Sequence, residues 1–262
     1  MNKIYVAMIV ALMSLTGCGS KEKPAVQNAA PATSEAIPQK ASAVVSNAAV
    51  VPQGTGSLRG AVRVVGIAPD AQPLQMGADP YCAANADAGS INESLMVNPN
   101  KTLKNAFVYI KSGLEGRTYI PPAAAAVLDQ KGCRYHPHMI GLQVGQPLEI
   151  VNSDSTLHNV HGLPKDSQEF NLGMPLKGMK IKRTFSAPEI GVKVRCDIHP
   201  WMLAYACVLP HPFFAVTGED GSFELKNLPV GQYTLAVWHE TMGAKEISVT
   251  VGEGETIQDV SF

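Results

Sequence analysis

The sequence predicts an all-β molecule built from β-sandwiches, and three observations carry the prediction. Short runs rich in Val, Ile, Thr and aromatic residues recur along the chain, most of them alternating apolar with polar positions. Turn residues stand between them, as in Asp220-Gly221, Pro229-Val230-Gly231 and Gly252-Glu253-Gly254. Helical periodicity is hard to find beyond Gly56. Regular short strands punctuated by Gly and Pro are what a sandwich requires.

Before the strands comes a segment of another kind. Lys3 gives a positive start, and Ile4 to Leu15 is almost wholly apolar. Such a run is short for a membrane span but fits the apolar core of a secretory signal. It ends in Leu15-Thr16-Gly17-Cys18, which resembles a bacterial lipobox. That resemblance implies a signal peptide over 1–17 and lipidation of Cys18. Each buried methylene of the acyl chains would contribute about 0.8 kcal/mol to holding the protein on a membrane. Gly19, where Asp would favour inner-membrane retention, implies the outer membrane and a periplasm-facing protein. Residues 18–56 are rich in Ala, Pro, Ser, Val and Gln and lack aromatic residues, so they are expected to form a lipidated flexible linker. As a random coil it would span roughly 35 Å.

The rest of the 262 residues is enough for one large or two small domains with real cores. Strands are expected at Leu58–Val65, Ala106–Lys111, Leu142–Val151, Lys180–Phe185 and Val192–Cys196. More follow at Ser222–Leu225, Tyr233–Trp238, Lys245–Val251 and Thr256–Phe262. Leu203–Leu209 also reads as an apolar strand. Pro121 and Pro122 before Ala123–Ala126 make that run irregular or the start of a strand. A formal charge of −1 offers no concentrated positive field, so no nucleic-acid partner is expected. Lys177, Lys180, Lys182 and Arg183 are the one basic run, read as a solvated edge strand or a docking patch for an acidic partner.

The chemistry concentrates in Val194-Arg195-Cys196-Asp197-Ile198-His199-Pro200-Trp201-Met202. A thiol, an imidazole and a thioether within seven residues are too close for one strand face, so the segment must loop around a point. Soft sulfur suits copper in its +1 state, and imidazole also satisfies +2. A second imidazole belongs on another strand. Upstream, Val144 to Asn152 reads as a strand with its turn, followed by Leu157-His158-Asn159-Val160-His161.

These paired motifs resemble those of the cupredoxins, the type 1 blue-copper family, and within them the amicyanins. That family also uses Cys-x-x-His-Pro-aromatic-Met after a His-Asn-Val-His string. The resemblance covers about 127–208 and implies a Greek-key sandwich with one type 1 copper site. His158, Cys196 and His199 would be equatorial ligands and Met202 the axial one. Asn159 would restrain the ligand loop. In such proteins the imidazole of the Cys-x-x-His loop lies near the surface as the electron port; Pro200, Trp201 and Leu163 would form its apolar rim. The implied role is a one-electron shuttle, with a redox protein such as a c-type cytochrome or a dehydrogenase as partner. Copper sensing, storage or delivery is the alternative, and an envelope scaffold or adhesion protein with a vestigial metal site is a third reading. Multicopper enzymes place His beside the ligand Cys, whereas Asp197 stands there, so an electron carrier is expected rather than a catalyst.

Among the remaining cysteines, a Cys82–Cys133 disulfide is the simplest pairing in an oxidising compartment, with pairing to Cys207 as the alternative. Otherwise Cys207 is a buried thiol. Cys133, His136, His138 and His161 are close enough in sequence for a second metal site, although spare histidines are more often hydrogen-bonded or solvated. His211 and His239 are expected to be structural. Gly218–Leu225 with Leu228–Leu235 resembles the carboxypeptidase regulatory-like (transthyretin-like) β-sandwich, as do Ser57–Val62 and Asn105–Ile110. This places that smaller sandwich at 57–115 and 212–262, with the copper domain at 116–211 inserted into it; a simple sequential arrangement is the alternative. The smaller sandwich would serve structural support or partner docking.

Overall fold

The computed structural model of the chain describes residues 54–66, 69–87 and 90–262. The expected leader, Cys18 and the linker as far as residue 53 lie outside the described residues. The described chain is almost entirely β-structure. It begins with β1 (Gly56–Arg63), and a connection carrying one short helix, α1 (Pro80–Asn85), leads to β2 (Phe107–Ser112). Then come β3 (Ala126–Lys131), β4 (Arg134–His136), β5 (Met139–Gln143), β6 (Leu148–Asn152) and β7 (His158–Leu163). β8 (Phe170–Met174), β9 (Lys180–Arg183), β10 (Glu189–Arg195) and β11 (Leu203–Leu209) continue the series. The last are β12 (Phe214–Val216), β13 (Ser222–Leu228), β14 (Gly231–His239), β15 (Gly243–Val251), β16 (Gly254–Ile257) and β17 (Val260–Ser261).

These strands form four sheets, ordered β13-β1-β16 with β17 also on β1, β12-β2-β14-β15, β5-β11-β10-β7-β8 and β4-β3-β6-β9. The first two close on a core of Leu58, Val108, Ile110, Leu225, Leu235 and Val237. The last two close on Leu128, Leu142, Ile150, Val160, Val194 and Ala206. A smaller seam of Phe107, Met139, Cys207 and Leu209, with Tyr205, Phe214 and Trp238 against it, joins the second sheet to the third. The result is a stack of four layers. The first sandwich is made from the two ends of the described chain, and the second from everything between β2 and β12.

Layer position explains the residue patterns. Strand β13 lies in an outer sheet and alternates through Leu225; Asn227 (φ +57°) then breaks the alternation, so that Phe223, Leu225 and Leu228 face inward. Strand β11 lies in an inner sheet with both faces covered. Ala204, Ala206 and Val208 face one core while Cys207 and Leu209 face the seam, which is why Leu203–Leu209 is apolar throughout.

Two expected strands are corrected. Leu142–Val151 is split into β5 and β6, because Gly145 (φ +81°) and Pro147 turn the chain from the third sheet to the fourth. Thr256–Phe262 breaks at Gln258-Asp259, where the Asp259 carboxylate accepts from Ala61 N at 2.8 Å and Arg63 Nε at 3.0 Å. The Ala123–Ala126 run stays irregular until β3 begins at Ala126. The segment around α1, placed by sequence within the smaller sandwich, contributes Met76 and Cys82 to the core of the other one. It is tied there by a Cys82–Cys133 disulfide. No helix among the described residues is long and apolar enough to cross a membrane.

Candidate metal centre

The site forms where three strand ends meet. Strand β10 pairs with β7 on one side (Arg195↔His161, Val194↔Gly162) and with β11 on the other. His158 is the first residue of β7 and is fully buried. The loop before it is held by Asn152, whose Nδ2 donates to the Thr156 and Met174 carbonyls at 3.0 and 2.8 Å. Between β10 and β11 the chain closes on itself. Cys196 N donates to Met202 O at 3.2 Å, Met202 N to His199 O at 2.9 Å, and His199 N to Cys196 Sγ at 3.4 Å.

This geometry brings one ligand atom each from His158, Cys196 and His199 within 4.8 Å of one another. The two Nδ1 atoms are 3.0 Å apart, and Cys196 Sγ lies 3.8 Å from His199 Nδ1. All three residues are buried, as is Met202, which shares a core with Cys196. Burial alone would push the Cys196 thiol up, but hydrogen bonds from His158 and from the Asn159, His199 and Ile198 backbone hold it below its ordinary value. Burial also works against the His158 imidazolium, yet Asp154 and Cys196 raise it to about 9. In the metal-free chain both shifts run toward the charged forms of the thiol and the imidazole. Two imidazoles and a thiolate, aimed at one point out of water, are a donor set that fits a copper-like or zinc-like ion.

Each ring is held by its far nitrogen. His158 Nε2 lies 2.9 Å from Asp154 Oδ2, and His199 Nε2 lies 3.0 Å from Asp79 Oδ2. Such carboxylates set the tautomer and ring orientation of a metal-binding histidine. Asp154 also receives Gly132 N at 2.9 Å and Cys133 N at 2.8 Å, while Asp79 caps α1 by accepting from Tyr81 N and Cys82 N. Neither aspartate was singled out from sequence. Asp154 stands four residues before His158, a spacing that could have flagged it; Asp79-Pro80 signals a helix start, though not its partner. Tyr135 was missed as well. Its hydroxyl sits 2.8 Å from Asn159 O and 3.1 Å from Arg195 O, bracing the strands next to His158 and Cys196.

Asn159 restrains the loop, with Oδ1 accepting from Asp197 N at 2.6 Å and Nδ2 donating to Asn171 Oδ1 at 2.7 Å. The expected port differs. His199 is 2% exposed, because α1, pinned by the disulfide, brings Asp79 and Cys82 against its outer edge. Cys82 Sγ lies 3.7 Å from its Nε2. Pro200 is exposed, and Trp201 is half-buried with its ring centroid 5.1 Å from that of His199. The Trp201 indole N–H donates to Cys133 O at 3.0 Å. Leu163 is half-buried in β7.

The four residues weighed for a second metal site do not converge. Cys133 is in the disulfide, His136 bonds Lys131 O, His138 pairs with Glu240, and His161 lies between Asp197 and Glu169. Cys207 is a free, buried thiol. His211 and His239 are buried and bonded to backbone groups. Lys180 and Lys182 lie on edge strand β9, paired with Glu149.

No protein-family model matches this chain, and no curated protein matches it in sequence. Part of it is similar to solved copper proteins. With a Cu-containing nitrite reductase from Thermus scotoductus it shares 21% identity over 37% of this chain and 24% of that one, at a TM-score of 0.32. An amicyanin variant in its Cu(I) form matches 38% of the chain over 97% of its own length, at 24% identity and a TM-score of 0.29. A purple cupredoxin from Nitrosopumilus maritimus matches 32% over 98% of its length, at 23% identity and 0.27. The chain thus spans about a quarter of the reductase's length.

Proposed function

We propose that this protein is a type 1 copper electron carrier, anchored by lipid at Cys18 to a bacterial outer membrane and facing the periplasm. The observation that carries this reading is the convergence of two Nδ1 atoms and a buried, depressed thiol on one point. Bound there, copper would supply a one-electron Cu(I)/Cu(II) couple. His158, Cys196 and His199 would hold it, with Met202 as a weak fourth ligand. The chain's part is to keep those donors still in both states. Burial excludes water, Asp154 and Asp79 fix the rings, and Asn159 and Tyr135 fix the strands that carry them. With His199 covered, Trp201 is the aromatic side chain between the ligand loop and solvent, and we assign the electron path to it. A c-type cytochrome or a dehydrogenase is the class of partner such a carrier would serve. The outer sandwich, carboxypeptidase-regulatory-like in its sequence pattern, would support the copper domain or dock a partner.

An intense blue colour in the oxidised, copper-loaded protein, lost in Cys196→Ser while far-UV circular dichroism is unchanged, is the expected result. A site that holds Cu(I) reversibly but never turns blue favours copper storage or delivery. The burial of His199 beneath α1 is the observation that keeps this second reading in play.

A further inference from the structure

His199 is held from outside by a built element. Its Nε2 meets Asp79 Oδ2 at 3.0 Å, while the other oxygen of the same carboxylate accepts from Tyr81 N at 2.7 Å and Cys82 N at 3.0 Å. The carboxylate is therefore fixed by the first turn of α1. That turn is bonded covalently through Cys82 to Cys133, whose carbonyl takes the Trp201 indole and whose N–H is held by Asp154. The ring of His199 packs against those of His158 and Trp201, at 4.9 and 5.1 Å between centroids. Turning the ring to withdraw Nδ1 would break the Asp79 bond inside a closed frame.

We infer that Asp79 is a positioning residue for His199, holding Nδ1 toward the ion and biasing the site toward the higher-charged state of that ion; the inference rests on the copper reading above. The physical basis is twofold. A carboxylate on the far nitrogen keeps the proton there and leaves the Nδ1 lone pair for the metal. A negative charge one ring-width from the site, with little water between, stabilises Cu(II) more than Cu(I).

Asp79→Asn separates charge from shape. Asn caps a helix start as well as Asp does and keeps an acceptor oxygen, so α1 should persist. The expected result is a protein that still turns blue, binds Cu(II) about 10- to 100-fold more weakly by chelator competition, and loses less affinity for Cu(I). Each tenfold difference between those losses raises the midpoint potential by about 59 mV. Asp79→Glu should restore part of the shift. If Asp79→Asn matches the wild type in potential and in both affinities, Asp79 is only a cap for α1 and the inference fails, even if Asp79→Ala perturbs the fold. If the wild type itself takes up no copper, the functional reading falls and takes this inference with it.

Discussion

At the scale of single residues, the site depends on what grips the outer nitrogen of each imidazole as much as on what the inner one faces. Asp154 is the more buried of these grips, receiving His158 Nε2 and the N–H groups of Gly132 and Cys133. Asp154→Ala would leave three buried donors without partners, at about 1–3 kcal/mol each. We expect a stability loss of at least about 3 kcal/mol in the metal-free chain, together with weaker copper binding. A urea midpoint within error of the wild type would show that these bonds are made elsewhere. The meeting of His158, Cys196 and His199 was legible in the sequence, because Cys196 and His199 must share a loop and the His158-Asn159 string resembles the cupredoxin pattern. The aspartates were not, since a bond to a ring's far side leaves no spacing rule, and Asp79 lies 120 residues from His199.

At the scale of elements, legibility followed solvent. Strand β13, wet on one face, alternates and was found from sequence; β11, dry on both, was found as an apolar run. The short strands β4, β8 and β12, and β7 with its two histidines, carry too few apolar positions to show a period. The Leu142–Val151 run looked continuous because its two halves are each apolar, and only Gly145 and Pro147 mark the passage between sheets. Helix α1 is six residues long and has no period to detect, yet it decides whether His199 reaches solvent. Its hold on the site is the bridge to Cys133, spanning 51 residues in sequence. On the chain-entropy account such a bridge contributes about 4 kcal/mol. The double variant Cys82→Ser/Cys133→Ser should therefore unfold at lower urea with a steeper slope, because the released chain is less compact when unfolded, and His199 should gain exposure, read as faster modification of its imidazole by diethylpyrocarbonate. Unchanged reactivity would mean that α1 stays in place without its covalent tie.

At the scale of the whole molecule, two sandwiches share one seam, and a buried histidine at that seam makes stability sensitive to acid. The third sheet comes close enough to the second that a Cβ at Gly141 would sit 2.4 Å from the Phe214 ring, and one at Gly191 2.5 Å from Trp238. Such contact leaves little room for water at the end of β14. There His239 is fully buried, and its Nδ1 accepts from Thr241 N at 3.2 Å. The neighbouring Glu240 pairs with His138, from the loop that enters β5. Burial pushes the His239 imidazole down to about 4, with His138 adding to the effect and Glu240 opposing it. In the unfolded chain the same ring titrates near its ordinary value of about 6.5. Between these values the unfolded state binds a proton that the folded state refuses, so stability is complete above about 6.5 and falls as pH drops toward 4. The loss amounts to about 1.4 kcal/mol per pH unit, up to about 3 kcal/mol in all. His158 in the metal-free chain works in the opposite sense, giving stability at low pH that is lost as pH rises through about 9. Comparison with His239→Asn cancels that contribution, since both proteins retain His158. Urea midpoints measured at intervals from pH 7 to pH 4 should fall more steeply for the wild type than for the variant. Parallel profiles across that range would mean that the seam opens to water before His239 is protonated, and that the two sandwiches are less tightly joined than their packing implies.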